Sequence, residues 1–200
     1  NPSTEIMSMG EVIKVLNELT NDDAIIVTDV GQHQMVACRY AKFKNSRSNI
    51  TSGGLGTMGF GLPAAIGAKY GAPDRTVVAI IGDGGFQMTL QELGTIMQFG
   101  ADVKILILNN QFLGMVRQWQ ELFNDRRYSF VNITSPDYVQ VAKGYGIAAK
   151  RIDKRDDLKN ALQEMLNHKG SYLLEVMVGK ENNVFPMVPQ GCSVSEIRLK

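Results

Sequence analysis

The 200-residue chain holds only two cysteines, Cys38 and Cys192, far apart and with no CxxC pair. That argues against a zinc knuckle or a disulfide scaffold, and two free thiols in a reducing compartment are the expected state. The two histidines, His33 and His168, are likewise far apart and form no HExxH motif. No apolar run approaches the about 18 residues of a membrane-spanning helix, so no membrane partner is expected. A charged stretch leading into an apolar core is missing from the first residues, so no secretory signal is visible and a cytoplasmic location is expected. An initiator methionine is also missing, and the chain is expected to be a piece of something longer. Charge of one sign is lacking too. Twenty-one Lys and Arg face 20 Asp and Glu, which leaves a net charge of +1 and gives no reason to expect a nucleic-acid partner.

Glycine is what the chain has in excess. There are 20, and ten fall between residues 53 and 85. Around them the hydrophobic pattern alternates between two periods. Ser8-Met9-Gly10-Glu11 has capping-box spacing and opens an amphipathic helix that runs to residue 19. Further helices are predicted over 33–40, 62–70, 89–99, 114–123 and 155–168. Another begins at Ser135-Pro136, read as an N-cap and a first-turn proline, and runs to residue 145. Short apolar runs at 24–28, 77–81, 104–108, 147–152 and 173–178 read as strands, with a weaker one at 49–52.

Strands that are apolar without alternation are buried on both faces, and strands alternating with helices signal a parallel sheet. The expected fold is α/β: a doubly wound, mainly parallel six-stranded sheet with helices on both faces. Residues 1–181 are expected to form the domain and 182–200 a C-terminal tail. Ligands of such sheets sit beyond the carboxyl ends of the strands. Those ends carry Asp29-Val30-Gly31-Gln32-His33, Gly82-Asp83-Gly84 and Asn109-Asn110.

Asp83 and Asn110 should therefore end neighbouring strands at one edge. A carboxylate and an amide oxygen are hard ligands suited to Mg²⁺, which completes its octahedron with phosphate oxygens and water. Each motif alone is compatible with a simple turn; the pair is far more specific. No Lys or Arg occurs over 52–68 or 77–103. A phosphate here would rest on a metal, backbone N–H groups and helix N-termini. A P-loop would need GK[ST], which is missing. The run Gly53-Gly54-Leu55-Gly56-Thr57-Met58-Gly59-Phe60-Gly61 contains a formal GxGxxG, but lacks the acidic residue about 20 positions on that a nicotinamide site uses.

Gly82-Asp83-Gly84, 24 residues and then Asn109-Asn110 resembles the signature of thiamine-diphosphate enzymes. The text around it resembles the C-terminal domain of the acetohydroxyacid synthase (acetolactate synthase) large, catalytic subunit family. The segments concerned are Val30-Gly31-Gln32-His33-Gln34, the glycine run from Gly53, Lys104-Ile105-Leu106-Ile107-Leu108, Gly114-Met115-Val116-Arg117-Gln118-Trp119-Gln120 and Pro186-Met187-Val188-Pro189. The resemblance implies a transferase that decarboxylates pyruvate and condenses the remainder with a second 2-ketoacid, pyruvate or 2-ketobutyrate, on the route to isoleucine, valine and leucine.

Residue by residue, the resemblance implies that Asp83, Asn110 and the carbonyl of Phe112 hold Mg²⁺. Gln32 and His33 would contact the diphosphate of thiamine diphosphate; Gly56 and Met58 would meet its rings. Gly82, Gly84, Gly85 and Gly114 would line the diphosphate turns, and Met115 and Trp119 the substrate channel, with Met115 also against the cofactor. The resemblance places the essential glutamate on an absent N-terminal domain, so no catalytic residue is expected within these 200 residues, and Glu92 is read as a helix-surface or structural residue. FAD would be bound mainly by an absent domain. The implied partners are the N-terminal and middle domains of the same subunit, a homodimer or higher oligomer, and a small regulatory subunit. The tail would close over the active site.

Overall fold

The computed structural model describes residues 6–180 and 183–199. The boundary expected at 181/182 lies outside the described residues. The order of elements is α1 (Met9–Thr20), β1 (Ile25–Thr28), α2 (Gln32–Tyr40), β2 (Asn49–Thr51), α3 (Gly61–Gly71), β3 (Val77–Gly82), α4 (Asp83–Thr89), α5 (Leu93–Phe99), β4 (Lys104–Asn109), α6 (Gly114–Phe123), α7 (Tyr138–Gly144), β5 (Ala148–Ile152), α8 (Leu158–Asn167) and β6 (Tyr172–Met177). The six strands form one sheet in the order β2-β1-β3-β4-β6-β5, and every pairing is parallel.

All six residues of β3 and of β4 are buried, which explains why those segments are apolar without alternation. Val78, Ile80, Leu106 and Leu108 join one core with α1, α2 and α8. Val77, Ala79, Ile81, Ile105 and Ile107 join the other with α3, α4, α5 and α7. Ser8 caps α1 in a complete capping box with Glu11, as the spacing predicts.

Two helix starts differ from the sequence reading. The helix expected over 89–99 is broken: α4 begins at Asp83, a single 3₁₀ turn follows at 90–92, and α5 completes the segment. Contacts from far along the chain support this early start. Tyr138 Oη donates to the Asp83 carbonyl at 2.7 Å, and the fully buried Phe86 ring meets Tyr138 edge-on at 5.1 Å. The cap of α7 is Asp137, whose carboxylate accepts from the Gln140 N–H, and not Ser135. The Ser135 hydroxyl lies instead 3.4 Å from Asp83 Oδ2.

The chain leaves β1 in one direction to form β2 and in the other to reach β3, so the strand order reverses at β1 and β3. In a doubly wound sheet the crevice at such a reversal is where a ligand binds.

Candidate functional site

A partly enclosed cleft with about 400 Å³ of empty space opens beyond the carboxyl ends of β1, β3 and β4. Gln32, His33, Met58, Gly82, Asp83, Gly84, Gly85, Asn110, Phe112, Gly114 and Met115 line it. These are eleven of the thirteen residues expected from the sequence. The other two stand outside the wall. Gly56 lies on the exposed apex of the glycine run, with φ +60°. Trp119 is one turn beyond Met115 on α6, 38 % exposed, its ring tilted against Phe123 at 4.8 Å. It is not the core aromatic that a lone tryptophan on a helix suggests.

Asp83 directly follows β3 and Asn110 directly follows β4, neighbouring strands whose register sets Gly82 opposite Leu108. Asp83 is 1 % exposed and Asn110 5 %. Burial pushes the Asp83 carboxyl up to about 6, although its own N–H, Ser135 and the N–H groups of Gly84 and Asn110 all bond to it and pull it down. No lysine or arginine lies among the described residues lining the cleft, so this carboxylate lacks the cation that usually accompanies a buried one. Nor do three or more His, Cys, Asp or Glu cluster anywhere among the described residues. A metal here would rest on one carboxylate, an amide oxygen and main-chain carbonyls. That set suits Mg²⁺, which keeps few protein ligands.

His33, 5 % exposed, shows the same incompleteness for an anion. Its Nε2 is buried and has no hydrogen-bond partner. Desolvation lowers its pKa to about 4, against the upward pull of the Asp29 carboxylate and carbonyl. Gly82 lets the ring lie against the strand end, since a Cβ there would sit 2.8 Å from His33 Nδ1. With the Asp29 carbonyl accepting from the other ring nitrogen, Nε2 would donate to an anionic oxygen only once the ring is protonated, and such an anion would itself raise the His33 pKa. Both halves of the cleft thus fit a metal-bridged diphosphate.

The pKa shifts at Asp83 and His33 have opposite consequences. Folded Asp83 binds its proton more tightly than the unfolded chain, from 3.8 to about 6, so the stability it contributes is lost as pH rises across that range. Folded His33 binds its proton less tightly, from 6.5 to about 4, so stability rises with pH across that range. Without divalent cation the two trends oppose each other; a Mg²⁺ ion held by Asp83 would keep it ionised and leave the His33 trend alone. Urea midpoints measured at about pH 4.5 and 6 should therefore rise with pH more steeply when Mg²⁺ is present. An identical slope with and without Mg²⁺ would contradict the coupling.

Three site residues were not legible as such. Asp29, fully buried at the end of β1, accepts from Gly59 N–H at 3.1 Å and Gly61 N–H at 2.7 Å, which turns the glycine run back over the sheet and brings Met58 to the cleft. Gly59, at φ +85°, occupies the left-handed region that this turn needs. Gln118 accepts from Gln32 Nε2 at 2.9 Å. Gln118 also exchanges two hydrogen bonds with the Val184 main chain, so the start of the tail is held beside α6, and Arg39 of α2 bonds to the Phe185 and Pro186 carbonyls. Ser135 supports Asp83 as described. Asp29 had the only usable signal, its place at a strand end beside Gln32-His33.

Such a cleft, a buried carboxylate and amide at neighbouring strand ends above a parallel sheet, is that of a thiamine-dependent enzyme domain. Residues 29–176 match the family "Thiamine pyrophosphate enzyme, C-terminal TPP binding domain", and the chain belongs to it. Within that class it is similar to acetolactate synthase large subunits. It is 48 % identical over 190 residues to "Acetolactate synthase isozyme 2 large subunit" of Escherichia coli, covering 94 % of this chain and 35 % of that protein. It is 49 % identical over 193 residues to "Acetolactate synthase 1, chloroplastic" of Nicotiana tabacum, covering 92 % of this chain and 29 % of that protein. The chain thus spans about a third of the length of these relatives. Among solved structures, a thiamine diphosphate-dependent 4-hydroxybenzoylformate decarboxylase from Rhodococcus jostii superposes with a TM-score of 0.82 at 26 % identity, over 90 % of this chain and 34 % of that one.

Proposed function

We propose that the chain, residues 1–181 with the tail 182–200, is the cofactor-binding domain of an acetolactate synthase catalytic subunit. The observation that carries the reading is the buried Asp83 carboxylate beside Asn110, with no cationic side chain among the described residues of the cleft wall. The likeness to acetolactate synthases of bacteria and plants supports the choice within the thiamine class.

In this reading Asp83, Asn110 and the Phe112 carbonyl hold Mg²⁺, and Gln32 and His33 meet the diphosphate. Gly82, Gly84, Gly85 and Gly114 bring backbone close to it, and the packing around them leaves no room for a side chain: a Cβ on Gly84 would lie 2.6 Å from Leu113 Cδ2. Met58 and Gly56 support the cofactor rings, and Met115 and Trp119 face the substrate channel. Bound thiamine diphosphate supplies the carbanion chemistry for decarboxylating a 2-ketoacid and passing on the remainder. The chain's own residues hold the diphosphate end in place, exclude water and keep Asp83 ionised against the metal.

The rest of the catalytic apparatus, including the essential glutamate and the main FAD contacts, belongs to the N-terminal and middle domains and to a partner subunit. The same proposal includes a homodimer or larger assembly, a small regulatory subunit and a cytoplasmic location. Among the described residues no helix is long and apolar enough to cross a membrane.

Product analysis tests the reading. The complete subunit given pyruvate, thiamine diphosphate, Mg²⁺ and FAD should form acetolactate, and the 200-residue chain alone should form none. The Rhodococcus likeness favours a simple 2-ketoacid decarboxylase as the second reading. Acetaldehyde as the only product of the complete subunit would decide for it.

A further inference from the structure

The turn that carries Asn110 and Phe112 is held from behind by residues that do not line the cleft. Gln111, in the middle of it, has φ +61°, a conformation unfavourable for a residue with a Cβ. The Gln111 N–H donates to Asn109 Oδ1 at 2.9 Å. The Asn109 amide in turn donates from Nδ2 to Glu175 Oε1 at 2.7 Å. Glu175 Oε2 accepts from Arg151 Nε, also at 2.7 Å.

Glu175 is fully buried in β6, and Asn109 is 3 % exposed at the end of β4. An ionised carboxylate only accepts hydrogen bonds. It therefore fixes the orientation of the Asn109 amide, with NH₂ toward Glu175 and oxygen toward Gln111. The next link repeats the pattern, with Asn110 Oδ1 accepting from the Phe112 N–H at 3.2 Å.

We propose that Glu175, acting through Asn109, is a positioning residue for the metal-binding turn: it holds Gln111 in its left-handed conformation and so aims Asn110 and the Phe112 carbonyl at one point. The inference rests on the magnesium site proposed above. A tie between β5 and β6, where Arg151 and Glu175 are paired, would explain the ion pair but not the amide that continues from it to Gln111.

Calorimetric titration of thiamine diphosphate into the complete subunit at fixed Mg²⁺ tests it, with thermal unfolding recorded for each variant. Asn109→Ala is expected to weaken binding about tenfold (~1.4 kcal/mol) while the protein stays folded. Adding Gln111→Gly should recover part of that loss, because glycine takes the left-handed conformation unaided. Glu175→Leu should weaken binding to a similar degree, and the Asn109→Ala/Glu175→Leu double variant should be no worse than the weaker single one. If Glu175→Leu does not fold, the Asn109→Ala and Gln111→Gly pair carries the test. Binding by Asn109→Ala within twofold of the parent, or no recovery with Gln111→Gly, overturns the proposal. Asp83→Ala runs alongside: if it binds as the parent does, the magnesium site itself fails and the proposal with it.

Discussion

Asp83→Ala in the complete subunit is expected to abolish magnesium-dependent binding of thiamine diphosphate. The carboxylate is the only charged oxygen among the described residues lining the cleft, and it is 1 % exposed. Removing it leaves an amide and a carbonyl to compete with water for a strongly hydrated ion, and Mg²⁺ gives up water reluctantly. Loss of an outer-shell partner of a metal ligand already costs about 10–100-fold in affinity, so loss of the ligand itself should exceed about a hundredfold. The substitution relieves a buried carboxyl that is pushed up to about 6 but takes the acceptor from the Gly84 and Asn110 N–H groups, and with these effects opposed the metal-free variant should melt within about 5 °C of its parent. Calorimetry and thermal unfolding together check both halves. Retained affinity would remove Asp83 from the metal site.

The second large effect is on stability. Asp29→Ala is expected to destabilise the domain by about 2–6 kcal/mol, because it strands two buried backbone N–H groups, those of Gly59 and Gly61, at about 1–3 kcal/mol each. For a domain of this size that corresponds to a fall in melting temperature of about 10 °C. Asp29→Asn keeps an acceptor oxygen and should fall between the two. The loss should also appear in cofactor affinity, since Asp29 holds the loop that brings Met58 to the cleft. A variant melting within about 2 °C of its parent would show that the glycine run is held by other contacts, such as the Thr89 hydroxyl on the Gly59 carbonyl at 2.9 Å.

Some of this architecture could be read directly from the sequence. β3 and β4 are continuous apolar runs because both of their faces meet helices, so burial writes itself into composition. Asp83 and Asn110 stand out because each directly follows such a run, and strands in parallel register bring their ends together. What stayed hidden depends on partners distant in sequence. Asp83-Gly84-Gly85 reads as a turn, and becomes helix because Tyr138 and Phe86 hold its first turn. Ser135 reads as a helix cap, yet its hydroxyl is turned to Asp83. The grip of Asp29 on Gly59 spans 30 residues and that of Glu175 on Asn109 spans 66; neither leaves a local pattern.

Titration of thiamine diphosphate into the complete parent subunit, before and after chelation of divalent cations, decides whether the cleft is a metal-bridged diphosphate site. Tight binding is expected with Mg²⁺, loss of binding on chelation and recovery when Mg²⁺ is restored, with no heat from NAD under any condition. Equal affinity for thiamine diphosphate in the presence and absence of divalent cation would contradict it.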